Sequence, residues 1–118
     1  MRMLIALITT AIVTLAPAAA SAHAHLHHAD PPVGATVATA PHNLTIWFTQ
    51  GLEPAFSTVA VTDAGGARVN EGKPRISGNT MSVALKALSA GTYHVHWHAV
   101  SVDTHTTQGD FSFTVAAH

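Results

Sequence analysis

The chain has 118 residues, 47% of them apolar and 9% charged, with ten histidines, no cysteine and a formal net charge of −1. That length suits one compact domain. The missing cysteines exclude disulfide frameworks and thiolate metal clusters, and five Lys+Arg do not make the basic face of a nucleic-acid binder.

In chain order, the first element is an address. Arg2 gives a positive start, Met3 to Ala16 is mostly apolar, Pro17 breaks the run, and Ala20-Ser21-Ala22 is a small-residue cleavage site. This reads as a secretory signal peptide over residues 1–22. A membrane anchor would need about 20 consecutive apolar residues, and no later segment is suited to direct membrane insertion. The mature domain is then residues 23–118, exported to a periplasm or beyond. Cleavage after Ala22 makes His23 the new N-terminus and is the preferred reading. Ala22-His23-Ala24 also fits the pattern and would expose His25, whereas cleavage after Ala20 would expose Ser21.

Short strand-like runs follow, separated by turn signals. His25 to His28 reads as a first edge strand before Pro31-Pro32. Asn43 to Thr49 is rich in β-formers. Phe56 to Asp63 alternates, Ala64-Gly65-Gly66 turns, and Arg68 to Asn70 is a short return. Pro74 and Gly78-Asn79 punctuate. Met81, Val83 and Leu85 alternate within Thr80 to Leu85, Thr92 to Ser101 is the strongest strand, and Asp110 to Ala116 closes the chain with Phe111, Phe113 and Val115 on one face. Six to eight short strands with frequent turns predict an all-β, antiparallel sandwich or Greek-key barrel.

The histidines fall into groups. His23-Ala24-His25-Leu26-His27-His28 lies at the mature N-terminus. A free N-terminal histidine chelates a metal through its α-amine and its imidazole Nδ1, and nitrogen donors in a tetragonal set suit Cu(II). His25, third in the mature chain, offers an alternative in which Cu(II) or Ni(II) is wrapped by deprotonated backbone amides. Asp103-Thr104-His105 follows the strongest strand. In extended chain its carboxylate and imidazole point the same way and would complete a site begun by His23, with Asp103 either a ligand or an acceptor orienting an imidazole. On Tyr93 to Ala99, period two sends Tyr93, Val95, Trp97 and Ala99 to the core and lines up His94, His96 and His98 on the other face, where two could converge on a metal. His42 and His118 stand outside these groups. Catalytic signatures are poor. Ser101, Asp103 and His105 have the residue types of a hydrolase triad, but lie within five positions of chain and are badly spaced for its relay.

Taken together, H-A-H-L from His23, W-F-T-Q-G-L-E from Trp47, A-G-T-Y-H-V-H-W-H-A-V-S-V-D-T-H from Ala90 and G-D-F-S-F-T-V from Gly109 resemble the CopC family of periplasmic copper-binding, copper-resistance proteins, across essentially the whole mature chain. The resemblance implies a seven-stranded Greek-key β-sandwich or barrel, immunoglobulin-like or cupredoxin-like. It implies one Cu(II) ion held by the amine and imidazole of His23 with Asp103 and His105, and His25 as accessory. It further implies a copper carrier or buffer serving resistance or supply, often beside or fused to a CopD-type inner-membrane protein. Because the chain ends at His118, a fused partner is not expected here.

Two departures bear on the site. Some relatives place an acidic residue where this chain has Gln50. Some carry a methionine-rich loop for Cu(I), whereas the mature chain has only Met81; thioether clusters select Cu(I), so a separate Cu(I) site is not expected. An enzyme is not expected either. Oxidative enzymes with a histidine brace need a substrate-binding face, and Trp47 and Trp97 both read as inward. The rivals are a copper oxidoreductase with that brace, a nickel or zinc carrier using the histidine row, and a metal-free immunoglobulin-like interaction module.

Overall fold

Alternating apolar and polar residues sort this chain into two faces, and the computed structural model assembles those faces into two four-stranded sheets. It describes residues 24–117; residues 1–22, where a leader is expected, His23 and His118 lie outside the described residues. The strands are β1 (Leu26–Asp30), β2 (Thr36–Val37), β3 (Asn43–Phe48), β4 (Thr58–Thr62), β5 (Asn70–Ser77), β6 (Thr80–Leu85), β7 (Gly91–Val100) and β8 (Thr106–Val115). One sheet runs β1-β3-β6-β5, the other β2-β8-β7-β4.

The expected all-β sandwich forms, with eight strands among the described residues instead of seven. The additional one is the two-residue β2, which pairs parallel to β8. Two residues are too few to leave an alternation in the sequence.

The core lies between the sheets. Leu44, Ile46 and Phe48 of β3 face Val95 and Trp97 of β7 and Phe113 of β8, all buried. Each such side chain contributes roughly 1.5–3 kcal/mol by leaving water. Phe48 meets Trp97 edge to face, with ring centroids 5.1 Å apart. Gly109 sits opposite Trp97 in the β7–β8 pairing, and a Cβ there would lie 2.5 Å from the indole ring. Glycine is what lets the large ring lie flat against β8.

Three expectations are corrected. The Phe56–Asp63 strand is shorter at both ends: β4 spans Thr58–Thr62 with Val59 and Val61 inward, while Phe56 lies in the preceding turn, 65% exposed. The short return from Arg68 and the break at Pro74 give way to β5, which runs through Pro74 to Ser77. Pro74 is tolerated because β5 is an edge strand and its register shifts between Glu71 and Arg75, the setting in which a missing N–H costs no ladder bond. Trp47 does not point inward. It alternates with the buried Ile46 and Phe48 and lies on the outer face, stacked on His28 with centroids 4.3 Å apart and planes 8° from parallel.

β7 and β8 form the backbone of the site region. They pair antiparallel from Gly91↔Val115 to Val100↔Thr106 without a register shift. The hairpin is therefore symmetric about Asp103, which sits at its tip.

Candidate metal centre

The N-terminal end of the described chain is tied down before β1 begins. Ala24 is fully buried, and its carbonyl accepts a hydrogen bond from Thr107 Oγ1 at 2.5 Å. The His25 N–H donates to Thr49 Oγ1 at 2.9 Å, and its carbonyl accepts from the Thr49 N–H at 2.8 Å. Residues 24 and 25 are thus clamped between the end of β3 and the start of β8. Thr107 is two residues beyond His105, so the clamp sets the chain just after His23 beside the hairpin tip. His23 itself lies outside the described residues.

The tip is a tight turn, which corrects the extended reading of Asp103-Thr104-His105. The Thr104 N–H donates to the Ser101 carbonyl at 2.8 Å, and the Ser101 N–H donates to the His105 carbonyl at 2.9 Å. Thr104 is held at φ +71°, a left-handed conformation unusual for a β-branched residue. The carboxylate and imidazole still meet, through the turn and not through period two: His105 Nδ1 is 3.2 Å from Asp103 Oδ2.

Ser101 organises that pair. It is fully buried, and its hydroxyl donates to Asp103 Oδ1 in a short hydrogen bond. That bond, reinforced by His105, holds the Asp103 carboxyl below its ordinary value of 3.8 against a partial loss of hydration. Asp103 is therefore an anion across the neutral and mildly acidic range. Its position against His105 Nδ1 is how a carboxylate fixes the tautomer and orientation of a ligating imidazole. The same contacts remove the hydrolase reading. The order is Ser101–Asp103–His105, with the carboxylate between hydroxyl and imidazole, whereas a nucleophilic triad needs the imidazole in the middle.

Gln50 precedes Gly51, whose carbonyl accepts from the Val102 N–H at 3.1 Å. The position singled out in the sequence is thus one residue from a backbone contact with the tip. Met81, the one methionine among the described residues, is in the core. His25 is exposed at the clamp. His94, His96 and His98 line the outer face of β7, away from the tip. His94 Nε2 and His96 Nδ1 each lie 2.9 Å from Asp110 Oδ1, while His98 stands opposite Gln108 and Thr58. Among the described residues no three His, Asp or Glu side chains stand as a ready metal-holding group; the set expected at the tip counts His23, which is not among them.

Sequence reasoning missed Thr107, Thr49 and Asp110, and dismissed Ser101 along with the triad. No pattern marks the two threonines, whose roles arise from strands distant in sequence. Asp110 was findable: with the turn centred on Asp103, His96 and Asp110 lie seven residues to either side and must face each other.

Comparisons with known proteins agree with this architecture. The sequence model of one family, described as the CopC domain, matches residues 26–116. Copper resistance protein C of Xanthomonas campestris pv. juglandis is 37% identical over 111 residues, covering 86% of this chain and 87% of that protein. The crystal structure of CopC from Methylosinus trichosporium OB3b superposes with a TM-score of 0.76 at 28% identity, covering 81% of this chain and 96% of that one. The crystal structure of PcoC, a methionine-rich copper resistance protein from Escherichia coli, superposes with a TM-score of 0.70 at 33% identity, covering 80% and 99%.

Proposed function

The chain belongs to the CopC family, and on that premise we propose that it is an exported, periplasmic copper carrier or buffer. It takes one Cu(II) ion through the α-amine and imidazole of His23, with His105 as the second imidazole and Asp103 as ligand or orienting anion. It exchanges that ion with a membrane partner of the CopD type. Relatives are named for copper resistance, which supports reading the chain as a carrier.

The observation that carries this reading is the clamp on Ala24. Ala24, buried and bound through its carbonyl by Thr107, lies near the tip where Asp103 and His105 meet, which supports a ligand role for a new N-terminus at the preceding residue. Two imidazoles, an amine and a carboxylate form a nitrogen-rich borderline set, which matches Cu(II). Binding displaces protons from amine and imidazole, so acid releases the cargo. The amide-wrapped alternative through His25 requires the His25 N–H to ionise and turn to the metal, yet that N–H is used on Thr49.

The test compares the protein processed to His23 with a twin carrying one extra N-terminal residue, and with His105→Ala, by Cu(II) competition titration and EPR. Both changes should lower affinity by at least the roughly 10–100-fold that losing even an outer-sphere partner costs. Unchanged affinity in both overturns the assignment. A large loss in His25→Ala with a mild one in His105→Ala would transfer it to the amide-wrapped mode.

A further inference from the structure

The outer face of the β7–β8 hairpin carries a second constellation of donors, separate from the tip. His94 and His96 are two apart on β7, so their side chains leave the same face, and their side chains are 53% and 46% exposed. Asp110 stands directly opposite His96 on β8. His94 Nε2 and His96 Nδ1 both reach one oxygen, Asp110 Oδ1, at 2.9 Å. An anion thus gathers two imidazole nitrogens onto a single point, on paired strands that do not shift register.

We propose that His94, His96 and Asp110 form a second, weaker binding site for a borderline divalent cation such as Cu(II) or Zn(II). At present Asp110 Oδ1 occupies the point on which both imidazole nitrogens converge, so the three donors do not yet surround a cation. A metal–imidazole bond is about 2.0–2.1 Å, shorter than these hydrogen bonds. A cation enters when the two ring nitrogens present lone pairs instead of N–H groups and the carboxylate turns aside to become the third ligand. Asp110 is 54% exposed on its side chain, so neighbouring atoms leave it room to turn. Solvent fills the remaining positions. Two nitrogens and an oxygen on an exposed face suit borderline ions over soft Cu(I) or hard Mg(II).

His98, one step further along the row, pairs in register with Gln108 and Thr58 and is not a ligand. This narrows a row of three histidines to two histidines and an aspartate, and it makes the chain a carrier of two ions.

The test uses the full chain exported with its own leader, its N-terminus read by mass spectrometry, stripped of metal and titrated with Cu(II) alone and with Zn(II) alone. The parent should bind two Cu(II) ions of distinct EPR signature, and the His94→Ala/His96→Ala double variant one. His105→Ala should keep the second signature, so that failure of this site and failure of the tip site are read apart. Asp110→Asn should weaken the second ion at least tenfold, and His98→Ala should leave it unchanged. Of the five substituted positions, His94, His96, His105 and Asp110 are exposed and His98 is half-buried, and circular dichroism checks that each variant folds. The proposal is overturned if the double variant binds as many ions as tightly as the parent, or if His98→Ala removes the second ion while the double variant keeps it.

Discussion

One hairpin presents the same residue types twice, at its tip and along its shaft, and it builds them differently. At the tip, Asp103 and His105 are two apart in sequence, brought together by a turn with Thr104 at φ +71° and anchored below by the buried Ser101. On the shaft, His94 and His96 are two apart and meet Asp110 through strand register alone. The tip is braced by part-buried hydrogen bonds and stands near the clamped Ala24, whereas the donors on the shaft are exposed and set by the pairing of β7 with β8 and β4. The comparison teaches that the same donor types and spacing can rest on different supports, and since a site loose by even an ångström loses most of its advantage, the tip is expected to bind the tighter of two ions.

The largest expected effect is one that reaches both regions. Gly109→Ala puts a Cβ 2.5 Å from the Trp97 ring, so Trp97 or β8 must move. Overpacking of this kind costs about 1–3 kcal/mol, measured as a lower urea midpoint, and copper affinity should fall with it because Thr107 and Asp110 flank Gly109. Unchanged stability would mean that Trp97 can repack freely, so that the close approach of Gly109 to its ring does not fix the pairing of β7 with β8.

Next comes a change confined to the tip. Ser101→Ala removes the donor that anchors Asp103. Supporting partners of this type are worth roughly 10–100-fold in metal affinity, so Cu(II) should bind that much more weakly while the second ion on the shaft is unaffected. Equal losses at both would show that Ser101 acts through the fold as a whole. A smaller effect, about tenfold, is expected of Thr107→Val, which keeps the shape but gives up the hydrogen bond to Ala24; hydrogen exchange at residues 24–26 should rise in parallel.

These two positions also mark how far the sequence could be read. The shaft was legible because strand period two is fixed by backbone geometry: the inward Tyr93, Val95 and Trp97 and the outward histidines fall where alternation puts them. The resemblance named Asp103 and His105, yet the local reading of them as extended chain failed, since a β-branched residue in a left-handed turn has no sequence signature. β5 was missed for a related reason: Gly72 and Pro74 are breakers in most settings and tolerable at an edge with a register shift. Trp47 shows that hydrophobicity alone misplaces a side chain whose neighbours Ile46 and Phe48 already claim the core.

The last prediction separates tip chemistry from tip structure by pH. Asp103 and Asp110 are both held below their ordinary value. For a depressed carboxyl, the stability contribution is full above the unfolded value of 3.8 and is lost as pH falls below it, through the lower folded value. Neither group therefore changes the stability of the metal-free protein between neutral pH and that point. On the proposed ligand set, protons compete with copper for the nitrogen donors. On acidification the Cu(II) visible band should disappear first, with circular dichroism unchanged, and the metal-free fold should weaken only at lower pH. Ser101→Ala should shrink the acid-dependent loss of stability, because it moves the folded Asp103 carboxyl back toward its ordinary value. If copper loss and loss of structure coincide in the parent, the turn is held together by the metal, and the bracing of the tip by Ser101 is refuted.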